Sequence, residues 1–177
     1  MPVIPWKKNY MLSIFDEFAP LRIKYKDIFD MKEFYDALHE YLLENEWTAH
    51  DGDIEQWETY YGERIGKNGG KEIWIMWRLG KPAPETTAFH YYLDLHFHCI
   101  NLLKTEVVRD GEKIKCHKGE VEVEISGFIQ KLYEKKFAEQ EGFFGKILKE
   151  VKDVFAKRIY SNIIDQRKKE LYQEIYA

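Results

Sequence analysis

Residues 89–100 alternate between two kinds of side chain, and this alternation constrains the fold more than any other feature of the sequence. Alternate side chains of a β-strand point to opposite faces, whereas an α-helix repeats about every 3.6 residues. One predicted face is apolar and consists of Phe89, Tyr91, Leu93, Leu95, Phe97 and Cys99. The other face consists of His90, Tyr92, Asp94, His96, His98 and Ile100. The stretch therefore predicts a long strand with a core on one side and polar side chains on the other.

Glycine-containing turn signals on both sides of this strand predict that its neighbours run antiparallel. Asn68-Gly69-Gly70 separates two alternating stretches, and Asp110-Gly111 separates two more. Such residues supply the positive φ angles of tight hairpins. The predicted strands are 21–25, 57–65, 72–79, 87–103, 105–109, 113–117 and 121–133. Because antiparallel neighbours can be joined by short turns, the order predicts a meander of five to six strands after the first helix.

A helix is predicted to begin at Asp30. Asp30 can accept hydrogen bonds from the first turn, and Glu33 three residues later completes a capping box. Phe29 and Phe34 flank the cap at the spacing of a hydrophobic staple. An apolar stripe at helical spacing then continues to about Glu46, so the whole segment is predicted to be one amphipathic helix.

The two ends of the chain also show apolar residues at helical spacing. Residues 1–20 predict an N-terminal segment that docks on the core as a short helix or, alternatively, packs on another chain. Residues 144–177 predict a long C-terminal helix, which would measure about 45–50 Å at 1.5 Å per residue. That length exceeds the width of a domain of this size, so its end is predicted to kink back or project. A projecting end would offer Leu171, Tyr172 and Ile175 to a partner.

Together these elements predict one α+β domain over residues 1–177. Its architecture would be a curved antiparallel sheet with an N-terminal helix and a long C-terminal helix. A chain of 177 residues fits a single domain and is long enough to bury a core without disulfides or metals.

The composition limits the compartment and the partners. The hydrophobic fraction of 45% and the charged fraction of 33% are typical of a globular protein. The formal net charge of -4 gives no reason to expect nucleic-acid binding. Two cysteines are too few for a secreted disulfide framework, and neither a signal-peptide pattern nor an apolar run of about 20 residues occurs. A cytoplasmic protein without membrane insertion is therefore expected.

The polar face of the long strand contains a candidate metal site. Asp94, His96 and His98 lie on this face, with alternate side chains about 6.5–7 Å apart. Two imidazoles at His-x-His spacing can bind zinc, iron or copper, and Asp94 can serve as a third ligand or orient a histidine. The pattern predicts a divalent metal and a metal-dependent enzyme. The alternative is a polar sheet surface with hydrogen-bonded histidines, because isolated motifs produce many false matches.

The same face is also a candidate binding surface. Its other predicted members are Trp74, Met76, Arg78, His90 and Tyr92. Aromatic side chains with a few polar anchors suit a small ligand or a protein partner. A helix that covers the face would explain the same residues, because large aromatic side chains are also common in packed layers.

Three functions remain open. The leading prediction is a non-enzymatic ligand-binding or protein-interaction domain that uses the aromatic and histidine face and a projecting C-terminal helix, with a protein partner or self-association. The second is the metal-dependent enzyme, and the third is a carrier of a hydrophobic ligand if the sheet and a helix enclose a cavity. No catalytic residue is predicted, because neither a nucleophile elbow nor a phosphate-binding loop occurs in the sequence.

Overall fold

The computed structural model describes residues 11–13, 21–84, 89–131 and 161–176. The chain divides into two compact units. The first unit comprises Met1–Phe18, Pro82–Tyr92 and Gly127–Ala177. The second unit comprises Ala19–Lys81 and Leu93–Ser126.

Within the described residues, seven strands form one mostly antiparallel sheet. They are β1 (Met11–Ser13), β2 (Leu21–Phe29), β3 (Thr48–Ala49), β4 (Glu58–Ile65), β5 (Lys71–Pro82), β6 (Phe89–Arg109) and β7 (Glu112–Lys131). The strand order is β1-β7-β6-β5-β3, while β2 also pairs with β7 and β4 also pairs with β5. Strands β4 to β7 are therefore neighbours in chain order, as connections by short turns require.

The predicted α+β architecture with a helical N-terminus and a long C-terminal helix is wrong. The described residues contain two short helices, α1 (Met31–Glu44) and α2 (Ser161–Tyr176), beside a dominant antiparallel sheet. Of the helix predicted over 144–177, residues 144–160 and 177 lie outside the described ranges. Neither of the described helices is long and apolar enough to cross a bilayer.

The N-terminal correction has a specific cause. Residues Met11–Ser13 form strand β1 and pair with β7, with Leu12 opposite Ile129, whereas a docked helix was predicted over 1–20. A strand edge offers backbone hydrogen-bond partners, and these outweigh the weak helical preference of a short segment. Residues 1–10 and 14–20 of the predicted segment lie outside the described ranges.

Helix α1 begins where the capping signal predicts it. The Asp30 carboxylate accepts hydrogen bonds from the backbone N–H groups of Lys32 and Glu33, at 2.9 and 3.2 Å. At the other end, Asn45 is the C-cap, and its side-chain amide donates to the carbonyl of Tyr41 at 2.7 Å. An N-cap of this type typically stabilises a helix by about 1 kcal/mol.

The apolar face of β6 is buried as predicted. Each member is at most 3% exposed: Phe89, Tyr91, Leu93, Leu95, Phe97 and Cys99. In the second unit the core centres on Trp77, which is fully buried. Its ring packs against Tyr35 of α1, Trp57 and Phe97, at centroid distances of 4.7, 5.2 and 4.8 Å. Helix α1 therefore covers the apolar side of the sheet.

The alternation along β6 changes phase at Asn101. Asn101 has a φ of 53°, in the left-handed region that Asn tolerates better than most residues. The next buried residue after Cys99 is consequently the even-numbered Leu102, and Leu102 and Lys104 both line the same cleft. Strand β7 accommodates this bulge with Gly119, where a Cβ atom would lie only 2.9 Å from the carbonyl oxygen of Ile100.

Both predicted turns are present. Gly69 has a φ of 80°, and Asp110 and Gly111 have φ angles of 52° and 84°. Positive φ at both central residues is the signature of a type I′ turn, which matches the twist of a hairpin. Strands β6 and β7 are each continuous, whereas the sequence predicted two shorter strands in place of each.

Candidate functional site

A mostly apolar cleft lies in the second unit beside helix α1. Its volume is about 520 Å³, which is within the range of about 300–1,000 Å³ typical of small-molecule pockets. Its apolar and aromatic walls are formed by Met31, Tyr35, Tyr61, Ile73, Ile75 and Leu102. Its charged and polar lining consists of Lys32, Glu58, Glu63, Lys71, Lys104 and His117.

Strands β4 and β5 form the floor of the cleft. Their antiparallel register places Tyr61 opposite Ile75 and Glu63 opposite Ile73. All four side chains line the cleft, so they share one face of the sheet. Ile75 is 7% exposed, whereas its partner Tyr61 on the neighbouring strand is 56% exposed. The β5 side of the floor is therefore buried and the β4 side is open to solvent.

A hydrogen-bond chain holds the aromatic end of the cleft. The Tyr35 hydroxyl donates to the Glu58 carboxylate and accepts a hydrogen bond of 2.8 Å from the indole N–H of Trp77. Burial, followed by the hydrogen bond to Glu58, raises the pKa of Tyr35 well above its usual value. The phenol therefore stays protonated at neutral pH and is fixed as a donor to Glu58.

The second carboxylate of the cleft is also engaged. Lys71 Nζ lies 2.8 Å from one oxygen of Glu63, and the Tyr61 hydroxyl donates to the other at 2.9 Å. The hydrogen bond from Lys71, and then the one from Tyr61, lower the pKa of Glu63. Glu63 is thus a neutralised anion within the wall of the cleft.

Two polar side chains of the cleft, unlike Tyr35, Glu58 and Glu63, have a polar group without a described partner. Lys104 makes no ion pair with any residue that the structure describes. His117 has a buried Nδ1 atom without a hydrogen-bond partner among the described residues. Both side chains line the cleft from the hairpin formed by β6 and β7.

The bulge on β6 is tied to the turn between β4 and β5. The Asn68 side-chain amide donates to Asn101 Oδ1 at 2.8 Å, and the Gly70 N–H donates to Asn68 Oδ1 at 3.1 Å. A Cβ atom on Gly70 would overlap the Asn101 side chain, so a larger residue here would displace that side chain. The contact holds the part of β6 that carries Leu102 against the part of β5 that carries Lys71.

The opposite face of β5 and β6 carries part of the predicted binding surface. The rings of Trp74 and His98 are stacked, with centroids 5.3 Å apart and planes inclined by 14°. His98 Nε2 lies 3.0 Å from Glu72, and Glu72 also pairs with Arg64. The hydrogen bond from His98, together with Arg64, lowers the pKa of Glu72. The polar groups of this cluster therefore find their partners within the chain.

Arg78 and Asp94 form a second group on this face. Arg78 Nε lies 3.5 Å from Asp94 Oδ2, and Asp94 is only 9% exposed. Burial raises the pKa of Asp94, and the positive charges of Arg78 and His96 offset part of that effect. Asp94 Oδ1 has no hydrogen-bond partner among the described residues.

The three predicted metal ligands have different surroundings. Asp94 faces Arg78, His96 is exposed, and His98 stacks on Trp74 and contacts Glu72. In the ranges that the structure describes, no group of three His, Cys, Asp or Glu residues is arranged to hold a metal ion. The divalent-metal site stays a prediction from residue spacing.

The other predicted binding residues are divided between the two units. His90 and Tyr92 belong to the first unit, where their rings lie 4.8 Å apart and the Tyr92 hydroxyl donates to Gln130 at 2.9 Å. Met76 lies in the second unit, opposite Tyr60 of β4. On α2, Leu171 is fully buried, Ile175 is half-buried and Tyr172 is 43% exposed. A partner for this end of the chain stays a prediction.

Sequence analysis missed the cleft and its unpaired groups. The period of two assigned the even-numbered residues of 90–100 to the polar face. The same period continued past Asn101 would place Leu102 and Lys104 there too, whereas both line the cleft. One sequence signal was available. An Asn within an apolar alternation, followed along the chain by a Gly in the partner strand, is a typical signature of a bulge.

Comparison of the chain with protein-family models, with curated proteins and with solved structures finds no match. The functional proposal therefore depends on the geometry and chemistry of the cleft.

Proposed function

We propose that this protein is a non-enzymatic ligand-binding protein, and that the cleft beside α1 holds a small and largely apolar molecule. The observation that carries the proposal is a cleft of about 520 Å³ with an apolar floor and a few polar side chains. Binding sites for small molecules typically combine such a floor with a small number of polar groups that fix orientation.

The protonation states in and beside the cleft favour binding over acid–base or nucleophilic catalysis. A general base works best when its pKa lies near the operating pH. The pKa of Glu63 is lowered and that of Tyr35 is raised, so both groups move away from that range. Beside the cleft, Cys99 Sγ lies 3.7 Å from Met31 Sδ, and burial raises the pKa of the Cys99 thiol to about 11, which makes it a poor nucleophile.

The aromatic face on the other side of the sheet supports a binding function less strongly. Trp74 stacks on His98, and Arg64 lies 5.9 Å above the Trp74 ring. The same Arg64 also pairs with Glu72. A ligand or partner at this face would have to compete with these internal contacts, whereas the floor of the cleft is open.

The test is a titration of the full chain with a neutral apolar fluorophore, N-phenylnaphthylamine, whose emission rises in an apolar site. Saturable one-to-one binding is expected. Ile73→Trp fills the floor and should weaken binding by about tenfold or more. Ile65→Trp is the matched control, because Ile65 lies on β4, is 64% exposed and does not line the cleft.

Both variants should keep the circular dichroism spectrum and the thermal transition of the parent. Absence of saturable binding to the parent protein would refute the proposed function. Equal binding by the two tryptophan variants would refute the assignment of the cleft as the site.

A further inference from the structure

We propose that the ligand is an amphipathic carboxylate whose negative group lies at Lys104 and His117 and whose apolar part lies on the floor of the cleft. This inference rests on the proposed function and adds the chemical class and the orientation of the ligand. It follows from the charge inventory of the cleft, from the positions of the charges along the sheet, and from the pairing of two side chains across the hairpin.

Among the charged residues that line the cleft, one cation and one anion have no ion-pair partner among the described residues. Three lysines and two glutamates line the cleft. Lys71 pairs with Glu63 at 2.8 Å, and Lys32 pairs with Asp36 of α1 at 2.5 Å. The remaining charges are Lys104 and Glu58, and of these only Glu58 has a hydrogen-bond partner among the described residues.

The register of the sheet separates these two charges. Glu58 lies opposite Trp77 of β5. Lys104 follows three residues after Asn101, and Asn101 adjoins Gly70 at the other end of β5. Trp77 and Gly70 are 77 − 70 = 7 residues apart along the chain, which corresponds to roughly 23 Å in a strand. The anionic and cationic positions therefore lie toward opposite ends of the cleft, and a ligand with one negative end has a preferred direction.

The cationic end presents two side chains close together. The turn Asp110-Gly111 joins Arg109, the last residue of β6, to Glu112, the first of β7. Lys104 is 109 − 104 = 5 residues before the end of β6, and His117 is 117 − 112 = 5 residues after the start of β7. Counting from the turn thus places them opposite each other, where Cβ atoms are about 4.5–5.5 Å apart.

An ammonium and an imidazole at this separation can hold the two oxygens of one carboxylate. Lys104 supplies the charge and His117 supplies a ring N–H, because no described residue fixes its Nδ1 as donor or acceptor. Hydrogen bonds between charged partners are about twice as strong as neutral ones. Met31, Ile73 and Leu102 then provide the apolar surface for the rest of the ligand.

The test compares decanoate with decanol, which share an alkyl chain and differ in charge, by displacement of N-phenylnaphthylamine from the full chain. Decanoate is expected to bind about tenfold tighter, as one charge-assisted hydrogen bond provides. Lys104→Met should remove this difference, because it should lower the affinity for decanoate much more than the affinity for decanol. Lys113→Met is the control, because Lys113 lies on the same hairpin outside the cleft, 3.9 Å from Glu106.

A second measurement needs no variant. Added salt should weaken the binding of decanoate and leave that of decanol unaffected, because the interaction at Lys104 is screened. Equal affinities of the two probes, or an equal loss of both in Lys104→Met, would overturn the carboxylate inference while the cleft remains the binding site. If neither alkyl probe nor the fluorophore bound, the proposed function itself would fail.

Discussion

The two faces of the central strands in the second unit differ in how their polar groups are satisfied. On the outer face, Arg22 of β2 bridges Glu122 and Glu124 of β7 at 3.1 and 2.7 Å, and Glu72 holds Arg64 and His98. On the face covered by α1, side chains are mostly apolar, yet Lys104 and His117 have polar groups without described partners. The polar groups that can still bind a ligand therefore lie on the face covered by α1.

This difference follows from strand geometry. Charged residues on adjacent strands meet in register on the outer face, as Lys24 does with Glu122, so their partners are already present. On the inner face, the bulge at Asn101 brings the exposed Lys104 to a cleft whose nearer carboxylate, Glu63, is already paired with Lys71. The buried Nδ1 atom of His117 has no partner among the described residues, so a ligand that supplied one would bring a gain in free energy.

The largest expected effect compares one tryptophan from each face. Trp77→Ala should lower the free energy of unfolding by about 3–5 kcal/mol, because it leaves a cavity in a fully packed site. Trp74→Ala should cost about 1 kcal/mol, since a half-buried ring loses chiefly its stacking on His98. Urea unfolding measures both values. Equal losses would show that the outer face is packed as tightly as the inner one.

An intermediate effect is expected at the bulge that separates the two alternation phases. Gly119→Ala should destabilise the protein by about 1–3 kcal/mol, because the new Cβ would meet backbone oxygens of β6 at 2.9–3.0 Å. Gly62→Ala is the control, since its Cβ would meet only the mobile phenol of Tyr60. Its effect should stay within about 0.5 kcal/mol.

The bulge prediction is checked by urea unfolding together with binding of the apolar fluorophore. Gly119→Ala should weaken binding as well, because the new methyl group would push β6 away from β7 and displace Leu102 from the cleft wall. If Gly119→Ala were as stable as Gly62→Ala, the close contact between β6 and β7 at this position would be refuted.

The smallest expected effect concerns the ion pairs of the outer face. The hydrogen bond from Lys24, and then the charges of Lys24 and Arg22, lower the pKa of Glu122 in the folded state. A lowered carboxylate pKa stabilises the fold above the ordinary value of about 4.3, and this stabilisation is lost as pH falls through that region. Glu122→Gln should therefore lower the urea midpoint at neutral pH and have no effect in strong acid.

Glu112→Gln is the matched control, because Glu112 also lies on β7 and makes no ion pair with the described residues. Its urea midpoint should follow that of the parent protein at every pH. A difference between Glu122→Gln and the parent that persisted in strong acid would point to lost packing instead of lost charge.

The sequence was sufficient for the elements whose signals are local. The alternation over 89–100 predicted the buried face of β6, and Asp30 with its first turn predicted the start of α1. The glycine-containing turns at Gly69 and Gly111 were likewise readable, because positive φ angles need particular residues. Each of these features depends on neighbours a few positions away in the chain.

What sequence reasoning missed depends on contacts between distant segments. The bulge at Asn101 is held by Asn68 and accommodated by Gly119, and no short window contains all three residues. The cleft combines α1 with four strands, so its existence follows from packing. Similarly, Asp94 was correctly assigned to the outer face, but its burial beside Arg78 was not predicted.

The bulge at Asn101 also gives this hairpin an unusual route for change during evolution. The extra residue at Asn101 determines to which face the side chains between it and Asp110 point. Loss of its codon would therefore turn Lys104 to the outer face and turn the neighbours of Lys104 toward the cleft. The buried residues before Asn101, from Leu93 to Cys99, would keep their places. Ligand preference could therefore be rewritten by one deletion that turns Leu102 as well as Lys104, while the buried residues up to Cys99 are inherited unchanged.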